Sequence, residues 1–273
     1  MSTPEPAPAP APVPAPTPVP ALSRARIWWE IAIVLGVGLG YSALYSILRL
    51  ADRLSQETAL GDQSQTLNPS RSDRQLFDLL YNLLSFGYGL VPVLLVGYLL
   101  WSRQKPHLRR LGFDGTRIGR DALWGVGLAL LIGIPGLGIY LGGRALGLTV
   151  AVDPAGLNTY WWTIPMLALF ALRAGLQEEV VVLGYLFARL GDVGWNKWAI
   201  IVGSAVFRGS YHLYQGWGSF VGNVLMGLLF GWLYSRTRRV LPFVIAHALL
   251  DAAIFIGYPW VAGVWPELFG LPG

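Results

Sequence analysis

Apolar runs of membrane-crossing length constrain this chain more than any other feature. From about residue 27 onward, stretches of Leu, Val, Ile, Ala, Gly and aromatic residues recur. Each is close to the 18 or more residues needed to cross a roughly 30 Å hydrocarbon core. The composition agrees, being 54% hydrophobic and 13% charged, whereas a soluble domain carries about 25% charged residues. The expected fold is all-α, a polytopic membrane protein of about seven (7–8) transmembrane helices. The spans read at roughly Ile27–Leu48, Leu76–Trp101, Asp121–Leu141, Trp161–Leu186, Trp198–Leu213, Phe220–Tyr234 and Leu241–Tyr258.

The segments outside these runs set the organisation and the topology. Residues 1–22 form an Ala-Pro tract holding nine of the 19 prolines. It favours polyproline II, cannot build a core, and lacks the basic start of a signal peptide. It reads as a disordered cytoplasmic tail, followed by N-terminal transmembrane helices over 23–150, a core bearing the ionisable residues over 151–262, and a C-terminal tail over 263–273. With the N-terminus inside, inner segments carry 13 Lys and Arg and outer ones 4, which predicts a multi-pass protein of the cell membrane with a cytoplasmic N-terminus. The net charge of +5 therefore reflects membrane topology, and no nucleic-acid partner is expected. The absence of cysteine excludes disulfides, thiolate metal sites and cysteine nucleophiles.

Ionisable residues divide the chain. In the first half Glu30, Arg49, Asp78 and Asp121 fall near span ends, where snorkelling or interfacial anchoring accounts for them. In the second half Arg173, Glu178 and Glu179, then Arg208 and His212, then His247 and Asp251 fall within apolar segments. A charge at the bilayer centre costs about 2.5–3.5 kcal/mol on insertion scales, so such a set implies pairing and function. Arg208 and His212 are four apart, as are His247 and Asp251, so each pair shares a helix face. Two chemistries fit. A Glu and a His can deprotonate a water, with the second His and its neighbour donating to an oxyanion. Alternatively Glu178, His212 and His247 can ligate a divalent metal such as zinc, which activates the same water. There is no HExxH helix and no GxSxG elbow.

The order of these residues resembles the CPBP family, which includes type II CAAX prenyl endopeptidases and bacteriocin-processing proteins. Its pattern is EExxxR, FxxxH and HxxxN or HxxxD, and the match covers about Leu169–Tyr258. The resemblance implies an intramembrane endopeptidase acting on a peptide or membrane-protein substrate in the lipid bilayer. It implies Glu178 as general base, His212 polarising the water, Glu179 as supporting carboxylate, and His247 with Asp251 on the oxyanion side. Two positions depart from the pattern: Leu183 replaces the motif Arg, and Arg208 stands where the Phe is expected. We expect Arg208 to supply the guanidinium that Leu183 lacks. The competing readings are an inactive membrane scaffold or regulator of the same fold, and a proton-coupled transporter. Tyr211, Tyr214, Gln215 and Trp217 read either as a substrate entrance or as an interfacial aromatic belt. Residue counting puts Glu178 toward the inner half of its span and His212 toward the outer end of the next. Their meeting requires a long tilted helix at Trp161–Leu186 or a deeper start before His212.

Overall fold

The computed structural model describes residues 22–153 and 156–264. The expected tail at 1–22, apart from Leu22, and the expected C-terminal tail from residue 265 lie outside the described residues. The described chain is almost wholly helical: α1 (Arg24–Gly36), α2 (Leu39–Leu54), α3 (Gln75–Gly89), α4 (Val91–Leu99), α5 (Ile118–Ala145), α6 (Thr163–Glu178), α7 (Phe187–Asp192), α8 (Lys197–Ser210), α9 (Trp217–Thr237), α10 (Leu241–Ala252) and α11 (Tyr258–Val264). Two π-helical stretches, Glu179–Leu186 and Ala253–Gly257, make α6–α7 and α10–α11 continuous. The two short strands, β1 (Ser64–Thr66) and β2 (Ala151–Asp153), pair in parallel between loops.

Local chemistry sets several boundaries. The Ser23 hydroxyl caps α1 by accepting from the Arg26 N–H, and the Asn196 side-chain Oδ1 caps α8 by accepting from the Ala199 N–H. Pro92 and Pro242 stand in the first turns of α4 and α10, where the missing N–H costs nothing. At Val37–Gly38 the first expected span breaks, and α1 and α2 meet at 59°.

Four helical segments are long and apolar enough to cross a membrane, namely Gln75–Leu99, Ile118–Ala145, Trp217–Thr237 and Leu241–Val261, and counting the bent α1–α2 pair gives five. Two of the seven expected spans, Trp161–Leu186 and Trp198–Leu213, are helical but are not among them. These two carry the buried ionisable residues. The α8 helix has 14 residues, about 21 Å at 1.5 Å per residue, too short to cross alone. Large apolar side chains on the other helices face outward, as with Tyr41, Leu48, Leu94, Ile134 and Leu130, which suits lipid rather than water.

The loops gather at two ends. At one, Arg24 donates to the Val193 carbonyl, Arg110 pairs with Asp192 at 2.7 Å, Arg189 pairs with Glu30 at 2.6 Å, and the Val240 N–H donates to the Leu111 carbonyl. At the other, Arg53 donates to Gln63 and Gln65, Arg144 donates to the Gly61 carbonyl, and the Val150 N–H donates to the Gln215 carbonyl.

These contacts correct the reading of the first half. Glu30, Asp78 and Asp121 are buried rather than snorkelling. Asp78 accepts from the Arg71 N–H at 2.6 Å and from Asn82, and Asp121 accepts from Arg239 at 2.5 Å. Glu30 and Asp121 find Arg189 and Arg239 on distant segments, where residue counting does not look. Arg49 is exposed and pairs with Asp52.

Close packing brings the helices that bear the ionisable groups together. The α6 helix packs on α10, and α8 on α9. A Cβ at Gly175 would lie 2.7 Å from the Val244 carbonyl oxygen and 3.1 Å from the Ala248 nitrogen, so only glycine lets α10 come this close. That contact sits one turn before Glu178 and flanks His247.

Candidate active site

Six side chains converge where α6, the π-helical stretch, α8 and α10 meet. Glu178 ends α6 and Glu179 opens the π-helical stretch, whose residues Glu179–Leu186 are all buried. Single π turns within α-helices recur at functional sites, and here the change of helix type falls between the two carboxylates. The expected difficulty over depth is resolved by length. The run from Thr163 continues through Leu186 to Asp192, six residues beyond the expected end, before turning at Val193–Asn196 into α8. Glu178 lies 14 residues before Asp192, and His212 lies 15 residues after Lys197. The two limbs of the hairpin therefore carry their polar groups at equal depth.

Glu179 and Arg208 are both 0% exposed. The Arg208 Nη2 donates to both Glu179 oxygens, at 2.7 and 2.8 Å, and its Nη1 reaches Glu178 Oε2 at 3.4 Å. Burying two carboxylates side by side without a cation would carry a heavy desolvation cost, which this fork offsets. Leu183, in the position of the motif Arg, is 1% exposed and belongs to the apolar core. The buried guanidinium beside Glu179 thus comes from α8 rather than from the next turn of the same helix.

The histidines approach from two sides. His247 Nδ1 meets Glu179 Oε1 at 2.6 Å, which fixes the ring and directs Nε2 toward Glu178 Oε1 at 3.9 Å and Asp251 Oδ2 at 3.7 Å. His212 follows the end of α8, and its Nε2 lies 3.7 Å from Glu178 Oε2. That nitrogen is buried without a hydrogen-bond partner, an uncommon state for a buried polar atom. Glu178, Glu179, His212, His247, Asp251 and Arg208 therefore all meet in one place.

Sequence reasoning placed Tyr211 at an entrance or in an interfacial belt rather than in the cluster. Its hydroxyl donates to Glu178 Oε2 at 2.8 Å and its side chain is buried, so it is neither an interfacial belt residue nor an entrance. The available signal was its spacing: three residues after Arg208 and one helical turn on, it faces the same carboxylates. Arg173, by contrast, stands apart from the cluster, donating to the Ser85 carbonyl. His107 stacks on Trp101 at 4.3 Å in its loop.

As the side chains stand, Glu178, His212 and His247 do not form a ready-made metal site. Among the described residues no three His, Asp or Glu side chains are grouped to hold an ion. The Arg208 guanidinium also stands 3.4 Å from the proposed carboxylate ligand, where a second cation would be repelled. Both oxygens of Glu178 are instead placed against hydrogen-bond donors or histidine nitrogens.

Comparison with known proteins draws on this same region. No curated protein and no solved structure matches the chain. Residues 160–253 match the family model described as type II CAAX prenyl endopeptidase Rce1-like. The matched segment runs from the start of α6 to the end of α10 and takes in all six converging side chains. Over residues 160–253 this multi-pass membrane protein is thus similar to the Rce1-like type II CAAX prenyl endopeptidases.

Proposed function

We propose that the Rce1-like domain hydrolyses a peptide bond inside the membrane with a water activated by Glu178 and His212. The observation that carries the reading is the flanking of one carboxylate by two histidine nitrogens, at 3.7 and 3.9 Å, from two separate segments. Tyr211 and Arg208 occupy Glu178 Oε2, which leaves Oε1 as the base. The unpartnered His212 Nε2 is free to orient the water. Glu178 takes one proton as the water oxygen bonds to the carbonyl carbon. The oxyanion of the tetrahedral intermediate then accepts from the His247 Nε2–H, in its imidazolium form, and Asp251 supports that ring. Glu178 returns its proton to the leaving amine, and the C–N bond breaks. Glu179 and Arg208 do not touch the substrate in this scheme; they hold His247 and Glu178 in position.

The substrate in this reading is a peptide or a membrane protein presented from the bilayer. The segments bearing the 13 basic residues gather at one end of the bundle, which supports a cytoplasmic placement of that end and of the N-terminus. Because the chain has no cysteine, single introduced cysteines at Arg103 and Arg71 report sidedness directly. Labelling of Arg103→Cys from outside intact cells would overturn that orientation.

The decisive test is turnover. Reconstituted protein is expected to cleave members of a peptide library, and Glu178→Ala to abolish cleavage while the protein still unfolds cooperatively. Undiminished turnover by that variant would refute the mechanism. Full cellular function without turnover would favour the scaffold reading.

A further inference from the structure

We infer that Ser46 of α2 is a positioning residue for the cluster: it fixes the peptide plane from which Tyr211 and His212 reach Glu178, so that a helix outside residues 160–253 completes the site. Its effect on turnover rests on the hydrolase reading above. The buried face of α2 is one narrow stripe, Leu39, Ala43, Ser46, Leu50 and Arg53, at alternating spacings of four and three. Tyr41, Leu44, Tyr45, Ile47 and Leu48 on the other faces are exposed. Ser46 stands in the middle of the stripe at 1% exposure, where a hydroxyl without a partner would carry a desolvation cost. A serine within a helix commonly returns its proton to the carbonyl one turn back. Here it donates instead to the Tyr211 carbonyl, 165 residues along the chain, at 2.8 Å.

That carbonyl calls for an outside donor because α8 ends at Ser210, and the last carbonyls of a helix have no partner within it. The bond also holds more than one atom. The Tyr211 carbonyl and the His212 N–H belong to one rigid peptide unit, and the His212 N–H donates to the Gly209 carbonyl at 3.0 Å. Both ends of the unit are therefore fixed, one by Ser46 and the other by α8. From its two flanking Cα atoms hang the side chains that meet Glu178 Oε2, the Tyr211 hydroxyl at 2.8 Å and His212 Nε2 at 3.7 Å. A tilt of this plane moves both away from the same oxygen. The far side of the turn is held separately, by the Val150 N–H on the Gln215 carbonyl and the Trp217 N–H on the Leu148 carbonyl. Ser46 ties the near side, and α2 packs along both the turn and α8 to deliver it.

Turnover and imidazole spectra of the full-length protein test the assignment. Ser46→Ala is expected to lower kcat at least about tenfold with little change in KM, since misplaced groups cost rate rather than binding. Ser46→Thr keeps the hydroxyl and is expected to recover much of that loss. The chain has three histidines, so ring-labelled protein gives three imidazole signals, assigned with His107→Gln and His212→Gln. In Ser46→Ala the His212 signal is expected to shift and broaden, while that of His107, stacked on Trp101 in its own loop, stays in place. An unchanged kcat, or an unmoved His212 signal, in Ser46→Ala overturns the inference. A fall in thermal stability with both readouts unchanged assigns Ser46 to packing alone and overturns it as well. If the wild type cleaves nothing, the Glu178 reading fails, and the His212 signal decides Ser46 by itself. Should Ser46→Ala fail to fold, Ser46→Cys keeps the shape of the side chain with a weaker donor and is read in the same way; an unmoved His212 signal there overturns the inference.

Discussion

Replacing Gly175 with alanine probes how closely α6 and α10 must approach for the site to exist. The added Cβ would stand 2.7 Å from the Val244 carbonyl oxygen, about 0.7 Å short of ordinary contact, against backbone that cannot rotate away. If α10 recedes by that amount, the 2.6 Å contact between His247 Nδ1 and Glu179 lengthens to about 3.3 Å, beyond the range of a charge-assisted hydrogen bond. Overpacking costs about 1–3 kcal/mol, and weakening such a bond a similar amount. The intrinsic gain of alanine over glycine in a helix, about 1 kcal/mol, offsets only part of this. A net loss of about 2 kcal/mol is expected in unfolding measurements on detergent-solubilised protein, with turnover falling about 10- to 100-fold as His247 moves off its position. The matched control is Gly127→Ala, where a Cβ meets nothing within 4 Å; it should be neutral or slightly stabilising. Equal stability and turnover for Gly175→Ala and Gly127→Ala would refute the argument that this contact positions the site.

Four further outcomes follow from particular contacts. Arg208→Met leaves Glu179 buried with only His247 beside it, and should cost about 3–5 kcal/mol in the same unfolding assay; a loss below 1 kcal/mol would show that the pair is not a structural necessity. Tyr211→Phe removes a single donor from Glu178 Oε2, so it should cost about 1–2 kcal/mol while altering the acid limb of the pH–rate profile. Arg239 donates to Asp114 and, with Thr116, holds that carboxyl down from 3.8 to about 2. A depressed carboxylate stabilises the fold above its unfolded pKa, so this contribution is present above about pH 4 and is lost as pH falls toward 2. Arg239→Gln should therefore narrow the stability difference between pH 5 and pH 3. Chelators should leave turnover unchanged if Glu178 and His212 activate the water unaided, and inhibition reversed by added zinc would instead support metal ligation by Glu178, His212 and His247.

The chemistry of the second half was legible because it depends on residue type and helical spacing. Glu178 and Glu179, His212, and His247 with Asp251 stand out as ionisable groups in apolar helices, and their order is linear information. Arg208 was legible for the same reason, since a guanidinium four residues from His212 shares its face. What escaped was set by contacts between distant segments. Tyr211 looks like any interfacial tyrosine until α8 lies beside Glu178. Asp121 looks like an interfacial anchor until Arg239, 118 residues later, closes over it. Four to five of the expected spans are long and apolar enough to cross a membrane on their own, and α6 and α8 fall short of that test because they exchange apolar residues for charges that only their neighbours satisfy. The meeting of Glu178 and His212 was obscured by a helix end drawn six residues early, since a π-helical stretch leaves no polar break in the sequence.

The hairpin of α6–α7 and α8 works as a ruler. Its two limbs are counted from the same turn at Val193–Asn196, so the level at which carboxylates meet His212 is fixed by residue number on each side. Inserting or deleting one residue within Phe187–Asp192 or within Lys197–Phe207 would raise one limb by about 1.5 Å and rotate it by roughly 100°, carrying Glu178 away from His212. Only the π-helical stretch, whose wider turn already holds extra residues, has the slack to absorb such a change. Length variation within this domain should therefore be tolerated in the loops at the two ends of the bundle and at Glu179–Leu186, and nowhere else along the two limbs.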